Sequence, residues 1–457
     1  MYSIESIYLF VFIFSLLNVC RTFFRFISAL LQNPPTRLVL NGRELIFFGL
    51  SLNPITSAIQ ISQKQISQKK TPIKDDYREN LEDLLFDLYI KILMLFAHKP
   101  SIATCIIKDT SVVWSKGYGY YDIESQKETN ENILYLQASV SKTVTATALM
   151  QLYDRGLFDL DDDVNDYLPF ELRNPNHPEE PITIKMILSH RSSLAYDNLY
   201  WIALSYLPGD PDVDGFPYPW LEEYLIPGGT GYSETTWSNS KPGESYYYAN
   251  IGFSIIAYLV EIISGQNFNE YCKENIFEPL EMHTSGFRLR DHDLDDIAVP
   301  YEYKNGRYFR HPHYGIHILY PAITLRTTIE EFSHFIIAHM NGGVWNDVRI
   351  LEQETVELMH TPHFSPGDKS NYGLGWTTLN PPNAKKTYGH SGGYVGVLDY
   401  VTIIPEDGIG VIIFSNELDS DLMATRLENY AFNAIYQAIV QKATNKQIEQ
   451  VWSPRYI

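Results

Sequence analysis

Ser139-Val140-Ser141-Lys142, Tyr248-Ala249-Asn250 and His390-Ser391-Gly392-Gly393 supply, in that order, the parts of an acyl-transfer site. The first offers a hydroxyl nucleophile with an amine three residues on, and the second a phenol able to move its proton. The third is a glycine-rich strand edge whose backbone N–H can face an oxyanion. No string is decisive alone, because S-x-x-K also occurs at Ser67 to Lys70 and Ser238 to Lys241, and Y-x-N at Tyr303 to Asn305. Taken by itself, Ser139 reads equally well as a helix N-cap.

Context separates Ser139 from these copies. Thr104 to Ile107 and Ser111 to Trp114 bracket Lys108-Asp109-Thr110 and predict a β-hairpin running out through Gly117 to Tyr120. After Leu136 the run Ser141 to Tyr153 has helical length, and Gly156 offers a stop. Ser139 is thus expected where a helix begins, beside unpaired N–H groups and a partial positive charge that suit a developing oxyanion. A spacing of three puts Lys142 on the same face. Ser67 lies in the Gln/Lys-rich stretch 60–70 and Ser238 in a Gly/Ser/Thr loop, so neither has a helix to orient it. Gly389 to Gly396 followed by Val397 to Val401 predicts two strands around a bend.

With these strings in place, the stretch from about Pro100 to about Ala438 resembles the serine β-lactamase and penicillin-binding-protein superfamily, in its class C β-lactamase-related branch of esterases, D-aminopeptidases and carboxypeptidases. Lys116 to Tyr120, Leu157 to Asp162, Ile182 to Leu194 and Tyr372 to Trp376 are similar to that branch as well. The resemblance implies an α+β fold of β-lactamase/transpeptidase type. In it an antiparallel sheet, built from the N-terminal hairpin and the strands between Thr387 and Phe414, is flanked by terminal helices and joined to a mostly helical second region. It also implies roles. Ser139 is the acylated nucleophile, Lys142 its amine partner and Tyr248 the phenolic acid/base, while Asn250, His390 and Gly393 meet the substrate. The backbone N–H groups of Ser139 and Gly393 form the oxyanion hole. Which group takes the serine proton stays open, because a phenol with a pKa near 10 needs a neighbouring cation to act as base, and an amine needs burial.

One departure carries information. Relatives with β-lactam chemistry usually have Lys at the head of the third string, where this chain has His390. Histidine is mostly neutral at pH 7 and binds carboxylate weakly. The expectation is therefore a serine hydrolase of esterase or peptidase type, acting on a small ester, amide or peptide rather than efficiently on β-lactams. The alternative is a catalytically idle scaffold or assembly protein that keeps the fold.

The rest of the sequence bounds this reading. At 457 residues, 45% hydrophobic and 14% aromatic, the chain can bury a large core. A net charge of −20 leaves no basic stripe for nucleic acid. Cys20, Cys105 and Cys272 are too scattered for a disulfide framework, and Cys105 reads as a buried thiol. No cofactor or metal is expected: Pro312 and Gly315 break the run that holds His311, His313 and His317, and the acidic run Asp159 to Asp163 lacks calcium-loop order, so it reads as capping and solvated. Residues 1–31 form a hydrophobic signal or anchor segment, with Ile7 to Cys20 shorter than the roughly 20 residues of a spanning helix. This predicts membrane association or the secretory pathway, with an intracellular location as the alternative. Residues 32–76 read as a linker holding one hairpin about Asn41-Gly42, residues 77–445 as the catalytic domain opening on a helix Tyr77 to His98, and residues 446–457 as a tail.

Overall fold

Hydrophobic patterning divides the sheet strands between two cores. The computed structural model of the protein describes residues 36–40, 43–47, 75–195, 206–208, 220–316, 318–364, 371–379, 385–418 and 426–444. It divides into a unit ending at Leu85 and a larger one beginning at Phe86. In the first, Thr36–Leu40 pairs antiparallel with Arg43–Phe47, the hairpin expected about Asn41-Gly42.

Helix α1 (Asp75–Phe96) leads to β1 (Ser101–Lys108), β2 (Ser111–Asp122) and β3 (Lys127–Glu128). The turn between β1 and β2 uses Asp109 in the left-handed region at φ 55°, a conformation that Asp tolerates. Then come α2 (Ser141–Asp154), α3 (Asn250–Ser264) and α4 (Ile329–Met340), followed by β4 (Thr377–Leu379), β5 (Thr387–Tyr394), β6 (Val397–Ile404), β7 (Ile409–Ser415) and α5 (Arg426–Thr444). The strands form one antiparallel seven-stranded sheet in the order β4-β5-β6-β7-β1-β2-β3. The last strand of this sheet along the chain, β7, therefore pairs with its first, β1, as the resemblance implies.

Because side chains alternate across a strand, β1 sends Ile102 and Ile106 to one face and Ala103, Cys105 and Ile107 to the other. The first face is covered by Ile90 and Met94 of α1 and by Phe432, Ile435, Tyr436 and Ile439 of α5. The second merges with a larger core that includes Val144 and Leu149 of α2, Phe253 and Ile256 of α3, and Phe332 and Ile336 of α4. Burial on both sides explains why these strands read as continuous apolar runs. Cys105 is enclosed there as expected, its thiol pushed up to about 12 by burial.

Helix α2, which follows Ser139, is buried from Ser141 to Leu152. Its composition suits that position: Thr143 and Thr147 donate back to the carbonyls of Val140 and Thr143 at 2.8 Å, and Thr145 donates to Pro321 O at 2.6 Å. Small side chains let neighbours close in, since a Cβ on Gly375 would stand 2.4 Å from that of Ala146. Among the described residues no single helix is long and apolar enough to cross a membrane. Residues 1–31 and 446–457 lie outside the described residues, as does much of the insert between Trp201 and Trp237.

Candidate active site

Ser139 sits in a 3-10 turn, Ala138–Val140, that runs directly into α2. Ala138, fully buried, is held at φ 43°, a left-handed conformation that costs a non-glycine residue about 1 kcal/mol or more and often marks functional turns. One turn further on, Lys142 is completely enclosed. Its Nζ donates to Ser139 Oγ at 3.0 Å and to the carbonyl of Ala322 at 3.0 Å. The same nitrogen lies 4.9 Å from the centroid of the Tyr248 ring and 5.8 Å from that of Phe253. A single amine thus hydrogen-bonds the candidate nucleophile and lies over the ring of the candidate phenol, which are separated by more than a hundred residues of chain. Ser139 is partly exposed and Gly393 exposed, whereas the Tyr248 hydroxyl and Asn250 Oδ1 are buried and Lys142 is enclosed.

The segment Tyr320–Leu325 carries α2 from outside. Besides Ala322 and Pro321, Leu325 N–H donates to Ser141 Oγ at 3.1 Å, and Leu325 O accepts from Gln137 N–H at 2.8 Å. Sequence reasoning missed this support, because backbone carbonyls carry no residue-type signature.

Tyr248 precedes α3, which begins at Asn250 after the extended residue Ala249. Behind it stands His190, also missed as a functional candidate. Its ring is buried 4.2 Å from that of Tyr248 and 4.7 Å from that of Tyr372. Burial holds this imidazole neutral, well below its ordinary pKa, with Lys142 and His390 pushing the same way.

The third string forms half of β5, His390 to Gly393 of Thr387–Tyr394. Gly392 packs so closely on the nucleophile turn that a Cβ there would stand 2.3 Å from Gln137 O and 3.2 Å from Ser139 N. Gly393 is the next residue along β5. His390, expected to meet substrate, is placed otherwise. It is fully enclosed, and burial, with Lys142 second, pulls its pKa to about 3. Nδ1 faces Ser391 O at 2.6 Å; a carbonyl only accepts, so Nδ1 carries the hydrogen. Nε2 of the neutral ring therefore accepts from the Tyr372 hydroxyl at 2.9 Å. This histidine is an internal strut, with no cation to offer a carboxylate. Across the ladder from Gly392, Asp399 is buried in β6. One of its oxygens accepts from Ser415 N–H at 3.0 Å, the other has no hydrogen-bond partner among the described residues, and burial raises its pKa.

Two of the duplicate motifs are engaged with other partners. Ser238 accepts from Ser240 N–H at 3.2 Å while Lys241 pairs with Glu180 at 2.6 Å near the surface. Tyr303 to Asn305 lies at the turn of the hairpin Tyr301–Lys304 with Arg307–Arg310. Ser67 to Lys70 lies outside the described residues. Among the described residues no group of His, Cys, Asp and Glu could hold a metal; His311 Nε2 lies 3.6 Å from a Glu302 oxygen, and His317 is outside them. In the acidic run, Asp162 accepts from Asp159 N–H at 2.8 Å and Asp163 pairs with Arg173 at 2.5 Å.

A family model described as Beta-lactamase matches residues 90–450, most of the chain. Protein flp of Staphylococcus aureus (strain MRSA252) is 23% identical over 333 residues, covering 73% of this chain and 62% of that protein, so the chain spans about three-fifths of that relative's length. Among solved structures, the octameric penicillin-binding protein homologue from Pyrococcus abyssi is 26% identical with a TM-score of 0.63, covering 79% of this chain and 78% of that one. EstCE1, a hydrolase with promiscuous acyltransferase activity, is 18% identical with a TM-score of 0.62, covering 78% and 100%, a likeness of fold.

Proposed function

The chain belongs to the Beta-lactamase family, and from that premise we propose that it is a serine hydrolase acting through an acyl-enzyme at Ser139 on a neutral ester or amide. The observation that carries the reading is the enclosed Lys142 amine, 3.0 Å from Ser139 Oγ and 4.9 Å from the Tyr248 ring. In the acylation step Ser139 Oγ bonds to the substrate's carbonyl carbon and its proton passes into the Lys142–Tyr248 pair. The bond to the leaving group then breaks as that proton is returned to the departing atom. Water reverses the sequence to release the acid. The oxyanion sits between the N–H groups of Ser139 and Gly393, whose closeness the Gly392 contact supports. Asn250, partly exposed at the start of α3, offers its amide to the substrate.

Substrate preference follows from charge. A carboxylate-bearing substrate needs a cation on the β5 side, and His390 there is neutral and tied to Tyr372. Short-chain aryl esters and uncharged amides are therefore the expected substrates, with β-lactams turned over slowly. A fluorophosphonate probe should label the wild type and leave Ser139→Ala unlabelled. A labelling pattern independent of Ser139 would sink the reading, and a hydrolysis panel in which a chromogenic cephalosporin outpaces aryl esters would overturn the substrate class.

A further inference from the structure

We propose that His190 is a positioning residue that clamps Tyr248 at the catalytic amine by holding the backbone on both sides of it. The inference rests on the acyl-enzyme reading above and extends it to a residue with no chemical step of its own. His190 O accepts from Tyr247 N–H at 2.9 Å, and His190 Nδ1 accepts from Ala249 N–H at 3.2 Å. One residue thus takes both amides that flank Tyr248, while its ring lies 4.2 Å from the phenol ring. The Tyr248 ring in turn stands 4.9 Å from Lys142 Nζ.

Two unfavourable features of His190 point the same way. Its backbone is left-handed, φ 59°, which turns the carbonyl and the imidazole toward the same segment. Its Nε2, which carries the hydrogen once Nδ1 accepts, is buried with no hydrogen-bond partner among the described residues, beside the rings of Tyr248, Phe253 and Tyr372. Strain and an orphaned buried donor each work against folding. An imidazole held despite both is explained by the acceptor it supplies to Ala249. The position is anchored by neighbours as well: Gly243 N–H donates to Arg191 O at 2.7 Å and Gly375 N–H to Leu188 O at 3.0 Å.

The test separates acceptor from ring. His190→Phe keeps an aromatic ring without an acceptor, whereas His190→Asn puts an amide oxygen near the Nδ1 position and tolerates the left-handed backbone. With p-nitrophenyl acetate, the Phe variant should lose about 100-fold in kcat with KM changed less than threefold, as a misplaced reacting group does. The Asn variant should recover at least a tenth of wild-type kcat. Hydrogen exchange over residues 247–249 gives a readout independent of turnover: protection at Ala249 should fall at least tenfold in the Phe variant and persist in the Asn variant. Equal kcat in the two variants, losses that track melting temperature alone, or unchanged protection at Ala249 in the Phe variant would overturn the clamp. If the wild type is not labelled at Ser139, the acyl-enzyme reading fails, and the exchange measurement still decides whether His190 holds this segment.

Discussion

Gly392→Ala tests the central geometry without touching a catalytic side chain. The added Cβ would stand 2.3 Å from Gln137 O, 3.2 Å from Ser139 N and 3.3 Å from Ala138 Cβ. A carbon and a carbonyl oxygen rest no closer than about 3.3 Å, so β5 and the nucleophile turn must separate by about 1 Å. All three contacts on the far side belong to backbone or to the strained Ala138, so no flexible side chain can absorb the overlap. Overpacking of this kind costs about 1–3 kcal/mol of stability. The larger effect falls on chemistry, because in the proposed oxyanion hole the same 1 Å opens the gap between Ser139 N–H and Gly393 N–H, and a displacement of that size costs about 100-fold in rate. The neighbouring Gly393→Ala is the control: its Cβ meets only Leu418 Cδ2 at 3.4 Å and Leu398 Cδ1 at 3.9 Å. Rates of fluorophosphonate labelling, read beside urea unfolding midpoints, should show Gly392→Ala slowed about 100-fold while still folded, and Gly393→Ala far less affected. Equal labelling rates for Gly392→Ala and wild type would refute the argument that this contact spaces the oxyanion hole.

Other substitutions probe the buried charges. Lys142→Met, similar in volume, should fold yet lose about 10²- to 10⁴-fold in labelling rate, the usual contribution of proton transfer; retention of more than a tenth of the wild-type rate would show that the amine is dispensable. Acidification should destabilise the protein. His339 and His390 are both pulled to about 3 by burial, so between that value and about 6.5 the unfolded chain binds protons that the folded one refuses. Stability is then intact above pH 6.5 and falls below it by about 1.4 kcal/mol per pH unit for each histidine, with His190 and His360 acting in the same direction. A urea midpoint unchanged between pH 7 and 5.5 would contradict this. Asp399 behaves oppositely: its raised pKa means that its contribution is present below about 3.8 and lost as pH rises through the folded value. Asp399→Asn keeps an acceptor for Ser415 N–H and removes the charge that burial disfavours, so it should raise the melting temperature at pH 7; a lower melting temperature would show that the carboxyl has a stabilising role.

What could be read directly is local. Ser139 and Lys142 are one turn apart, and a spacing of three on a helix brings side chains together wherever that helix packs. The hairpin of β1 and β2 and the bend between β5 and β6 are fixed by turn residues between apolar runs. The duplicate S-x-x-K strings could be set aside because neither had a helix to orient it. His390 was legible as a missing cation, yet its role as a strut was not, because that role depends on a phenol eighteen residues away turning inward to donate to it.

The sequence by itself thus determined which chemical groups are present, which sit on helices or strands, and the family fold that orders them. Tertiary packing alone decided the rest: the Ala322 carbonyl on Lys142, the His190 clamp on either side of Tyr248, and the close approach of Gly392 to Ser139. These contacts are made largely by backbone atoms, which are alike at nearly every position. Only the folding of distant segments into one core, where an unmet amide or carbonyl is costly, assigns each its partner.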